Sequence, residues 1–511
     1  MFPGNYVNDF PDKAAAILAD TGERLTYLDL ELGSRRLARL FRDAGLGKGD
    51  NVAVLSDNNL SVFVVYWAAM RSGMYVTMVN WHLTADEAAY IVNDSDARAL
   101  VTSSGTGTLG TDVLALTPQV EVRLAIGGLD GYDDFDTAIA RFSDAPLTSQ
   151  PRGSDMLYSS GTTGRPKGIK PPLPTWEVDE QEDWIATLAQ QYFSMGQDTN
   201  YLSPAPLYHA APLRFCAAVQ SVGGTVVVMT RFDASIALNL IEKFKITHSQ
   251  WVPTMFVRML KLPIEERHRL HLSTHHCAIH AAAPCPVDIK QQMIDWWGPI
   301  VYEYYASTEA NGMTIVDSEQ WLQKPGTVGK PAVGTVHICN DSGEEIPAGQ
   351  TGLVYFERDV VPFEYHNDPE RTRQAQHPDH PTWTTTGDIG HVDDDGYLFL
   401  TDRKSFVIIC GGVNIYPQEI ENALIAHPAV LDVAVIGTPH PEMGQEVHAL
   451  IQLVDPTHAS KELQQEILDS VKDRLAKFKW PRTVTFVNDL PRTPTGKLAK
   501  GHLAEQYSAL A

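Results

Sequence analysis

The sequence predicts an α/β fold, with a large N-terminal domain of several subdomains and a small α+β domain at the C-terminus. The 511 residues, 43% of them hydrophobic and 20% charged, are enough for large buried cores and too many for one ordinary domain. Short β-rich runs alternate with helical stretches over the first two hundred residues, which is typical of layered α/β folds. A fresh pattern of strands and helices starts after residue 402. We therefore expect domains at 1–402 and 403–511.

The alternation is clearest in residues 51–79, where NVAVLS and MYVTMV are typical of strands and LSVFVVYWAAMRSG between them is typical of a helix. Thr84 and Glu87 have the spacing of a capping box at a helix start. Asp233 is placed to cap another helix, with four apolar side chains expected on one face: Ile236, Leu240, Ile241 and Phe244. Near the predicted domain boundary, GHVDDDGYLFL at 390–400 has the form of a hairpin.

Charge and composition exclude several classes of protein. The formal net charge is -23, whereas nucleic-acid binding needs a basic surface, so we do not expect nucleic acid as a partner, and any anionic substrate must be bound by local positive charge. The opening MFPGNYVNDF lacks a basic segment followed by an apolar stretch, and no run reaches the roughly 18 apolar residues of a membrane span, so we expect a soluble protein. The five cysteines form no CxxC pair, which disfavours a disulfide scaffold or a cysteine zinc site and favours the cytoplasm.

One stretch of the chain is basic, although the chain as a whole is acidic. Between Ser470 and Lys500, eight basic residues stand against two acidic ones, a local charge of +6. A solvated helix face followed by a basic loop would account for this charge, and so would a role in binding an anion.

The first chemical signal is YSSGTTGRPKGI, from Tyr158 to Ile169. Glycines let backbone N–H groups approach an anion, hydroxyls add donors, and a lysine supplies a point charge, so the run suits phosphate binding. It is not a Walker motif, because Gly161 and Lys167 have the wrong spacing and no serine or threonine follows the lysine. A plain glycine turn is the alternative. The candidate phosphate-binding residues are Ser159, Ser160, Gly161, Thr162, Thr163, Gly164 and Lys167.

Seven more motifs follow this run along the chain. They are PLYHAAP (206–212), VPT (252–254), AAAP (281–284), YASTE (305–309), TGD (386–388), DRKSFVIICGGVNIYPQEIE (402–421) and PRTPTGK (491–497). In content and order the set resembles the adenylate-forming, or AMP-binding, superfamily, and within it the acyl-CoA synthetase and fatty-acid–CoA ligase branch. The resemblance implies a C-terminal domain that is mobile and carries a catalytic lysine.

The resemblance implies three contacts to the adenosine of ATP. The ring of Tyr305 would stack on adenine, Asp388 would accept hydrogen bonds from both ribose hydroxyls, and Arg403 would add a further ribose contact. TGD also makes an ordinary turn, which is the alternative for Asp388.

For the phosphates, the resemblance implies that Thr308 contacts the α-phosphate and that Glu309 and Thr163 help to bind Mg²⁺ through the ATP phosphates. Magnesium prefers oxygen ligands and usually keeps waters, so one carboxylate with ATP phosphates would suffice. A surface carboxylate in a loop is the alternative for Glu309. Lys497 matches the family's catalytic lysine, which reaches the α-phosphate and the carboxylate during adenylation, although it also fits an ordinary basic tail.

His209 occupies the family's gate position beside the acyl pocket, where a packed or surface histidine is the alternative. Gly411 and Gly412 would permit close approach of the CoA pantetheine, or would simply form a turn. The usual hinge position holds Ser405, where aspartate or lysine is common, and we expect the chain to bend between Asp402 and Ser405.

The implied reaction is adenylation of a hydrophobic carboxylic acid by ATP, followed by thioester formation with CoA and release of AMP and pyrophosphate. Fatty, alicyclic and aryl acids all stay open. AAAP in place of the common Gly-Gly-Ala-Pro, and Ala306 in place of glycine, would either narrow the acyl passage or reflect ordinary packing. The main alternative is an amide ligase with an amine acceptor; a luciferase-like oxygenase also stays open. Amino-acid activation is disfavoured because PLYHAAP lacks the expected aspartate, and an inactive regulator because no ATP-site residue is missing. A homodimer stays open.

Overall fold

A computed structural model describes residues 1–159, 166–181, 183–492, 498 and 500–508. It confirms the predicted fold class, a mixed α/β architecture with a large N-terminal part and a small C-terminal part. The helices, numbered in chain order, are α1 Tyr27–Asp43, α2 Ser61–Met70, α3 Ala85–Asp94, α4 Thr108–Leu116, α5 Phe135–Ala140, α6 Trp184–Phe193, α7 Ala210–Ser221, α8 Ala234–Lys243, α9 Pro253–Leu260, α10 Ile264–Arg269, α11 Val287–Trp297, α12 Ser318–Gln323, α13 Pro369–Gln374, α14 Pro417–Ile425, α15 Lys461–Asp469 and α16 Lys500–Ser508.

The strands belong to five sheets. In chain order they are β1 Ala14–Leu18, β2 Arg24–Thr26, β3 Asn51–Leu55, β4 Tyr75–Val79, β5 Ala97–Ser103, β6 Val122–Ile126, β7 Asp133–Asp134, β8 Ser154–Asp155, β9 Leu157–Ser159, β10 Lys167–Lys170, β11 Asn200–Ser203, β12 Thr225–Val228, β13 His248–Trp251, β14 Cys277–His280, β15 Val301–Ala306, β16 Met313–Val316, β17 Lys330–Val333, β18 Thr335–Cys339, β19 Gly352–Glu357, β20 Glu364–Tyr365, β21 Trp383–Thr384, β22 Asp388–Val392, β23 Leu398–Arg403, β24 Ile408–Cys410, β25 Val413–Ile415, β26 Val430–His440, β27 Gly444–Leu453 and β28 Thr483–Val487.

Two large sheets form the body of the N-terminal part. One has nine strands in the order β17-β16-β15-β14-β13-β11-β12-β1-β2, and the other has six in the order β7-β6-β5-β3-β4-β8. Their central strands pair in parallel, as expected where helices cross between strands. The helices cover the sheets with apolar side chains, and α2 is buried along almost its whole length, with Trp67 only 1% exposed. Burial on all sides explains why the sequence of α2 is apolar throughout.

Three smaller sheets complete the chain. β9 and β10 pair with β20, and β18, β19, β22 and β23 form an antiparallel sheet to which β21 is added. The C-terminal sheet has the order β25-β24-β27-β26, with β28 beside β27. β23 ends the last N-terminal sheet at Arg403, and β24 starts the C-terminal sheet at Ile408. The segment between the two sheets is residues 404–407, just after the predicted boundary, because Asp402 and Arg403 still pair within the N-terminal sheet. The division into domains at 402 stays a proposal.

The predicted local features form, with one correction. The capping box of Thr84 and Glu87 is present at the start of α3, and β22 and β23 make the predicted hairpin. Asp233 caps α8 by accepting a hydrogen bond from the Ile236 N–H at 2.8 Å. The correction concerns Ile236, a residue that is 49% exposed, whereas Leu240 and Ile241 of the same predicted face are buried. Ile236 lies at the edge of that face, about 100° around the axis from the buried Ala237.

The two parts touch through polar and apolar contacts. Lys261, after α9, donates to the carbonyl oxygen of Val430 in β26. Arg474 pairs with Asp288 at 2.8 Å across the same interface. Asp402 accepts a hydrogen bond from the Gln418 N–H at the start of α14, at 3.0 Å.

In the described part of the chain, no helix combines the length and the apolar character needed to cross a bilayer.

Candidate functional site

Asp388 is the centre of a hydrogen-bonded group at the end of the β22–β23 hairpin. The antiparallel register places Asp388 directly opposite Arg403, and Arg403 Nε lies 2.9 Å from Asp388 Oδ1. The hydroxyls of Tyr305 and Thr386 donate to Asp388 Oδ2, at 2.7 and 2.9 Å. Three residues predicted to contact adenosine, Tyr305, Asp388 and Arg403, are therefore brought into direct contact.

Burial and charge set the ionisation of this group. Burial, and then the neighbouring Asp388, raise the pKa of Tyr305 well above its usual value, so its phenol stays protonated and acts as a donor. Burial opposes the charge of Arg403, but Asp388 and Tyr305 outweigh that effect and raise its pKa above the usual value. The carboxylate of Asp388 is therefore held by a neutral phenol, that of Tyr305, and by a permanent cation, Arg403. A carboxylate oriented in this way can accept further hydrogen bonds from ligand hydroxyls.

This group opens onto a cavity of about 490 Å³ between the two parts of the chain. The N-terminal part contributes Pro284, Tyr305 and Asp388 to its lining, and the C-terminal part contributes Glu421 and Lys500. A space of this size with apolar walls and a few convergent polar groups is typical of a small-molecule site.

Thr308 and Glu309 follow β15, which carries Tyr305. The carboxylate of Glu309 accepts a hydrogen bond from the phenol of Tyr365 in β20, at 2.8 Å from Oε1. The carbonyl oxygen of Thr308 lies 3.4 Å from Arg214 Nη1. Sequence reasoning missed Tyr365 and Arg214, because both lie far along the chain from residue 309 and no motif signals their contacts.

Lys167 starts β10 and pairs with Ser159 of β9 in the antiparallel register. Burial is the main reason that the pKa of Lys167 is lowered; Arg371 lowers it further, while Asp368 and Glu309 oppose the change. Lys167 and Glu309 therefore share one electrostatic environment. The remaining predicted phosphate-binding residues lie outside the described residues: Ser160, Gly161, Thr162, Thr163 and Gly164.

Lys497 also lies outside the described residues, but both sides of its segment are described. Arg492 and Leu498 face each other as an isolated antiparallel bridge. Arg492 forms a two-pronged ion pair with Asp432 of β26, with Nη2 2.7 Å from Oδ1. Arg492, Leu498 and Lys500 all line the interdomain cavity that Asp388 lines. The described residues on either side of the predicted catalytic segment thus line the candidate site.

His209 is the residue before the first turn of α7. Its ring centroid is 4.6 Å from that of Tyr208, and Tyr208 in turn lies 6.3 Å from His82. His209 therefore belongs to an aromatic cluster, as the packing alternative expects. Its role as a gate stays a prediction.

Gly411 and Gly412 form the two-residue turn between β24 and β25. Both have positive φ, +57° and +79°, which glycine adopts without the strain that a side chain would cause. The turn is exposed. Neither glycine is among the described residues that line the cavity. Gly411 and Gly412 thus do not contribute to the cavity that Asp388 lines, and their role toward CoA stays a prediction.

The donor set around Glu309 fits Mg²⁺ whose other ligands come from a nucleotide. Magnesium is usually held by one or two carboxylates, substrate phosphates and waters. Throughout the described ranges, no group of three or more His, Cys, Asp or Glu side chains could hold a metal by itself. Glu309 with phosphate oxygens fits this pattern.

Comparison with known proteins gives matches over almost the whole chain. The family profile described as AMP-binding enzyme matches residues 5–365, and that of the AMP-binding enzyme C-terminal domain matches residues 419–497. The long-chain-fatty-acid–CoA ligase FadD13 of Mycobacterium tuberculosis is 31% identical over 98% of this chain and 96% of its own length. A feruloyl-CoA synthase of Amycolatopsis is 31% identical over 95% of this chain and 94% of its own.

A solved structure with a similar fold is the amide bond synthetase McbA from Marinactinospora thermotolerans. It superposes with a TM-score of 0.83 at 25% identity, over 99% of both chains. The fold is thus shared over almost the whole chain with a protein whose name describes it as an amide bond synthetase.

Proposed function

This chain belongs to the AMP-binding enzyme family, and we propose that it is an AMP-forming acyl-CoA ligase acting on a hydrophobic carboxylic acid. The observation that carries the proposal is the group in which Tyr305 and Arg403 hold Asp388 in the lining of the interdomain cavity. A carboxylate held in this way suits two adjacent ribose hydroxyls. Tyr305 supplies the aromatic face for adenine.

In the first step, the substrate carboxylate attacks the α-phosphorus of ATP. A new P–O bond forms, the bond to the β-phosphate oxygen breaks, and pyrophosphate leaves. A carboxylic acid is already ionised at pH 7, so no protein base or nucleophile is needed. The chain has to position the reactants and offset the charge that builds on the phosphate oxygens. Lys167, Thr308 and Lys497 are the residues we assign to that task.

Mg²⁺, held by Glu309 together with the ATP phosphates and predicted also to involve Thr163, would neutralise part of the phosphate charge. The carboxylate of Glu309 accepts a hydrogen bond from the phenol of Tyr365.

In the second step, the CoA thiol attacks the acyl carbon and a C–S bond forms. The bond between the acyl carbon and the phosphate oxygen breaks, AMP leaves, and the thiol proton passes to solvent. We assign the exposed turn of Gly411 and Gly412 to the approach of pantetheine, after the C-terminal part rotates about residues 402–405.

The names of the relatives support a hydrophobic acid. One is a ligase of long-chain fatty acids and the other acts on an aromatic acid, as its name feruloyl-CoA synthase states. Fatty, alicyclic and aryl acids all remain within the proposal, and a panel of acids distinguishes them. A homodimer and a cytoplasmic location stay predictions from the sequence.

The first test is a product assay. We expect product formation by the purified protein to need ATP, Mg²⁺, an acid and CoA together. One AMP and one pyrophosphate should be released for each acyl-CoA formed. Acids of graded length and ring content are scored by CoA-dependent AMP release. Release of ADP and phosphate would contradict adenylation. Faster product formation with an amine in place of CoA would move the acceptor assignment to the amide ligases.

The proposed division at residue 402 has its own test. Lys404 and Ser405 are exposed, as is the turn at Gly411 and Gly412, so we expect protease to cut first between about residues 402 and 412 and to give one large and one small fragment. ATP or CoA should change this rate. Cleavage at Lys48, exposed between α1 and β3, is the internal control and should not respond. A segment cut no faster than Lys48, with or without ligand, would count against a moving C-terminal domain.

A further inference from the structure

Tyr365 contacts the carboxylate that we assign to the metal, and no motif in the sequence singles it out. Its phenol donates a hydrogen bond to Glu309 Oε1 at 2.8 Å across 56 positions of the chain. We infer that Tyr365 is a positioning residue, which fixes the orientation of Glu309 so that this carboxylate is ready to bind the metal of the ATP complex. The inference rests on the proposed function, because it gives Glu309 a metal to bind.

Tyr365 is held firmly enough to act in this way. Its side chain is 8% exposed and packs in a small apolar cluster with Ile169, Phe363 and Ala375. Its backbone N–H donates to the hydroxyl of Thr372 at 2.9 Å. On the ring face, the guanidinium of Arg371 lies 5.4 Å from the ring centroid. A phenol restrained by packing, by the backbone and by a cation over its ring transmits that restraint to its hydrogen-bond acceptor.

Strand pairing also links Tyr365 to the predicted phosphate-binding run. Tyr365 of β20 is the antiparallel partner of Ile169 in β10, and the His366 N–H donates to the carbonyl oxygen of Gly168 at 2.8 Å. Lys167 is the first residue of β10. One sheet therefore sets the positions of a cation for the phosphates and of the phenol that holds Glu309.

The chemistry of the contact leaves Glu309 able to bind a metal. A tyrosine phenol is protonated at pH 7, so Tyr365 donates to Glu309 and does not compete with it as an anion. A carboxylate has about four acceptor positions on its two oxygens, and the phenol uses one of them, on Oε1. Partners of this kind behind a metal ligand commonly change metal affinity by about 10- to 100-fold when removed.

The test is Tyr365→Phe, which removes the phenol oxygen and leaves the ring. Mn²⁺ serves as the probe for the metal, and its binding to the full-length protein with a non-hydrolysable ATP analogue is measured by electron paramagnetic resonance. We expect Mn²⁺ affinity to fall by about 10- to 100-fold. The Mg²⁺ concentration that gives half-maximal adenylation should rise by a similar factor. The adenylation rate at saturating Mg²⁺ should fall by a smaller factor.

Tyr132→Phe is the matched control. Tyr132 also donates one phenol hydrogen bond, to the carbonyl oxygen of Gly110 at 2.7 Å, but it lies beside α4 and away from Glu309. We expect both variants to lower the melting temperature by similar amounts, and only Tyr365→Phe to weaken Mn²⁺ binding. Equal Mn²⁺ affinity in the two variants would overturn the inference.

Glu309→Gln separates this inference from the proposed function. If Glu309→Gln weakens Mn²⁺ binding and Tyr365→Phe does not, Tyr365 has only a structural role and the proposed metal ligand stands. If Glu309→Gln leaves Mn²⁺ binding unchanged, the metal assignment itself is wrong, and the role of Tyr365 is overturned with it.

Discussion

Replacing Lys497 by alanine is expected to slow adenylate formation by about 10²- to 10³-fold at saturating MgATP, because losing one preorganised charged donor in a transition state typically has that effect. A lysine ammonium is charged at pH 7 and stabilises negative charge without transferring a proton. The described residues on either side, Arg492 and Leu498, line the cavity that Asp388 lines. Pyrophosphate release in the presence of acid and ATP measures the first step.

Thioester formation should respond differently to the same change. If the C-terminal part rotates between the steps, Lys497 leaves before CoA attacks, so the variant given presynthesised acyl-adenylate should make acyl-CoA within about tenfold of the wild-type rate. Lys472→Ala is the control, because Lys472 is an exposed lysine paired with Asp469 in the same basic stretch and such pairs contribute little. Equal loss of both steps in a folded Lys497→Ala variant would refute the division of labour, and loss of neither would remove Lys497 from the site.

Replacing Asp388 by alanine is expected to weaken ATP binding on the order of 10²-fold. A hydrogen bond to a charged group is worth about 1.5–3 kcal/mol, and each 1.4 kcal/mol is a factor of ten in affinity. The change also leaves Arg403 and the phenol of Tyr305 without the acceptor that orients them. Isothermal titration of ATP in the absence of acid measures this effect directly.

Asp395→Ala is the control for that measurement. Asp395 lies in the turn of the same β22–β23 hairpin, is 64% exposed, and pairs with Lys324. ATP affinity should stay within about twofold of wild type in this variant, since exposed pairs contribute little. An Asp388→Ala protein that is folded and binds ATP normally would show that TGD is an ordinary turn, the alternative the sequence leaves open.

The candidate site could be predicted from the sequence where its residues sit in dense local motifs. Tyr305, Thr308 and Glu309 occur within five positions, and their residue types match nucleotide chemistry. Asp388 and Arg403 lie 15 positions apart, and the predicted hairpin between them explains why the antiparallel register places them opposite each other. A local pairing of this kind can be predicted from the turn residues and from the alternation of apolar and polar side chains in the two neighbouring strands.

Contacts between distant segments could not be predicted in this way. Tyr365 lies in β20, which pairs with β10, whereas Glu309 follows β15 of another sheet. Their contact therefore depends on how these two sheets are placed relative to each other. The exposure of Ile236 likewise depends on which side of α8 packs against the core, which the apolar pattern alone does not fix. Neither the Tyr365–Glu309 contact nor the exposure of Ile236 can be predicted from the residues adjacent in sequence.

The sequence by itself determined the α/β class, the helix caps, the order of the motifs and the family, because each depends on residue types at short spacing. Only the tertiary structure decided that Asp388 is held by Tyr305, Thr386 and Arg403 at once, that Glu309 accepts a hydrogen bond from Tyr365, and that the Gly411–Gly412 turn does not line the cavity beside Asp388. The physical reason is that these arrangements depend on how sheets pack and pair across long stretches of chain, where burial and register choose among many sterically allowed neighbours.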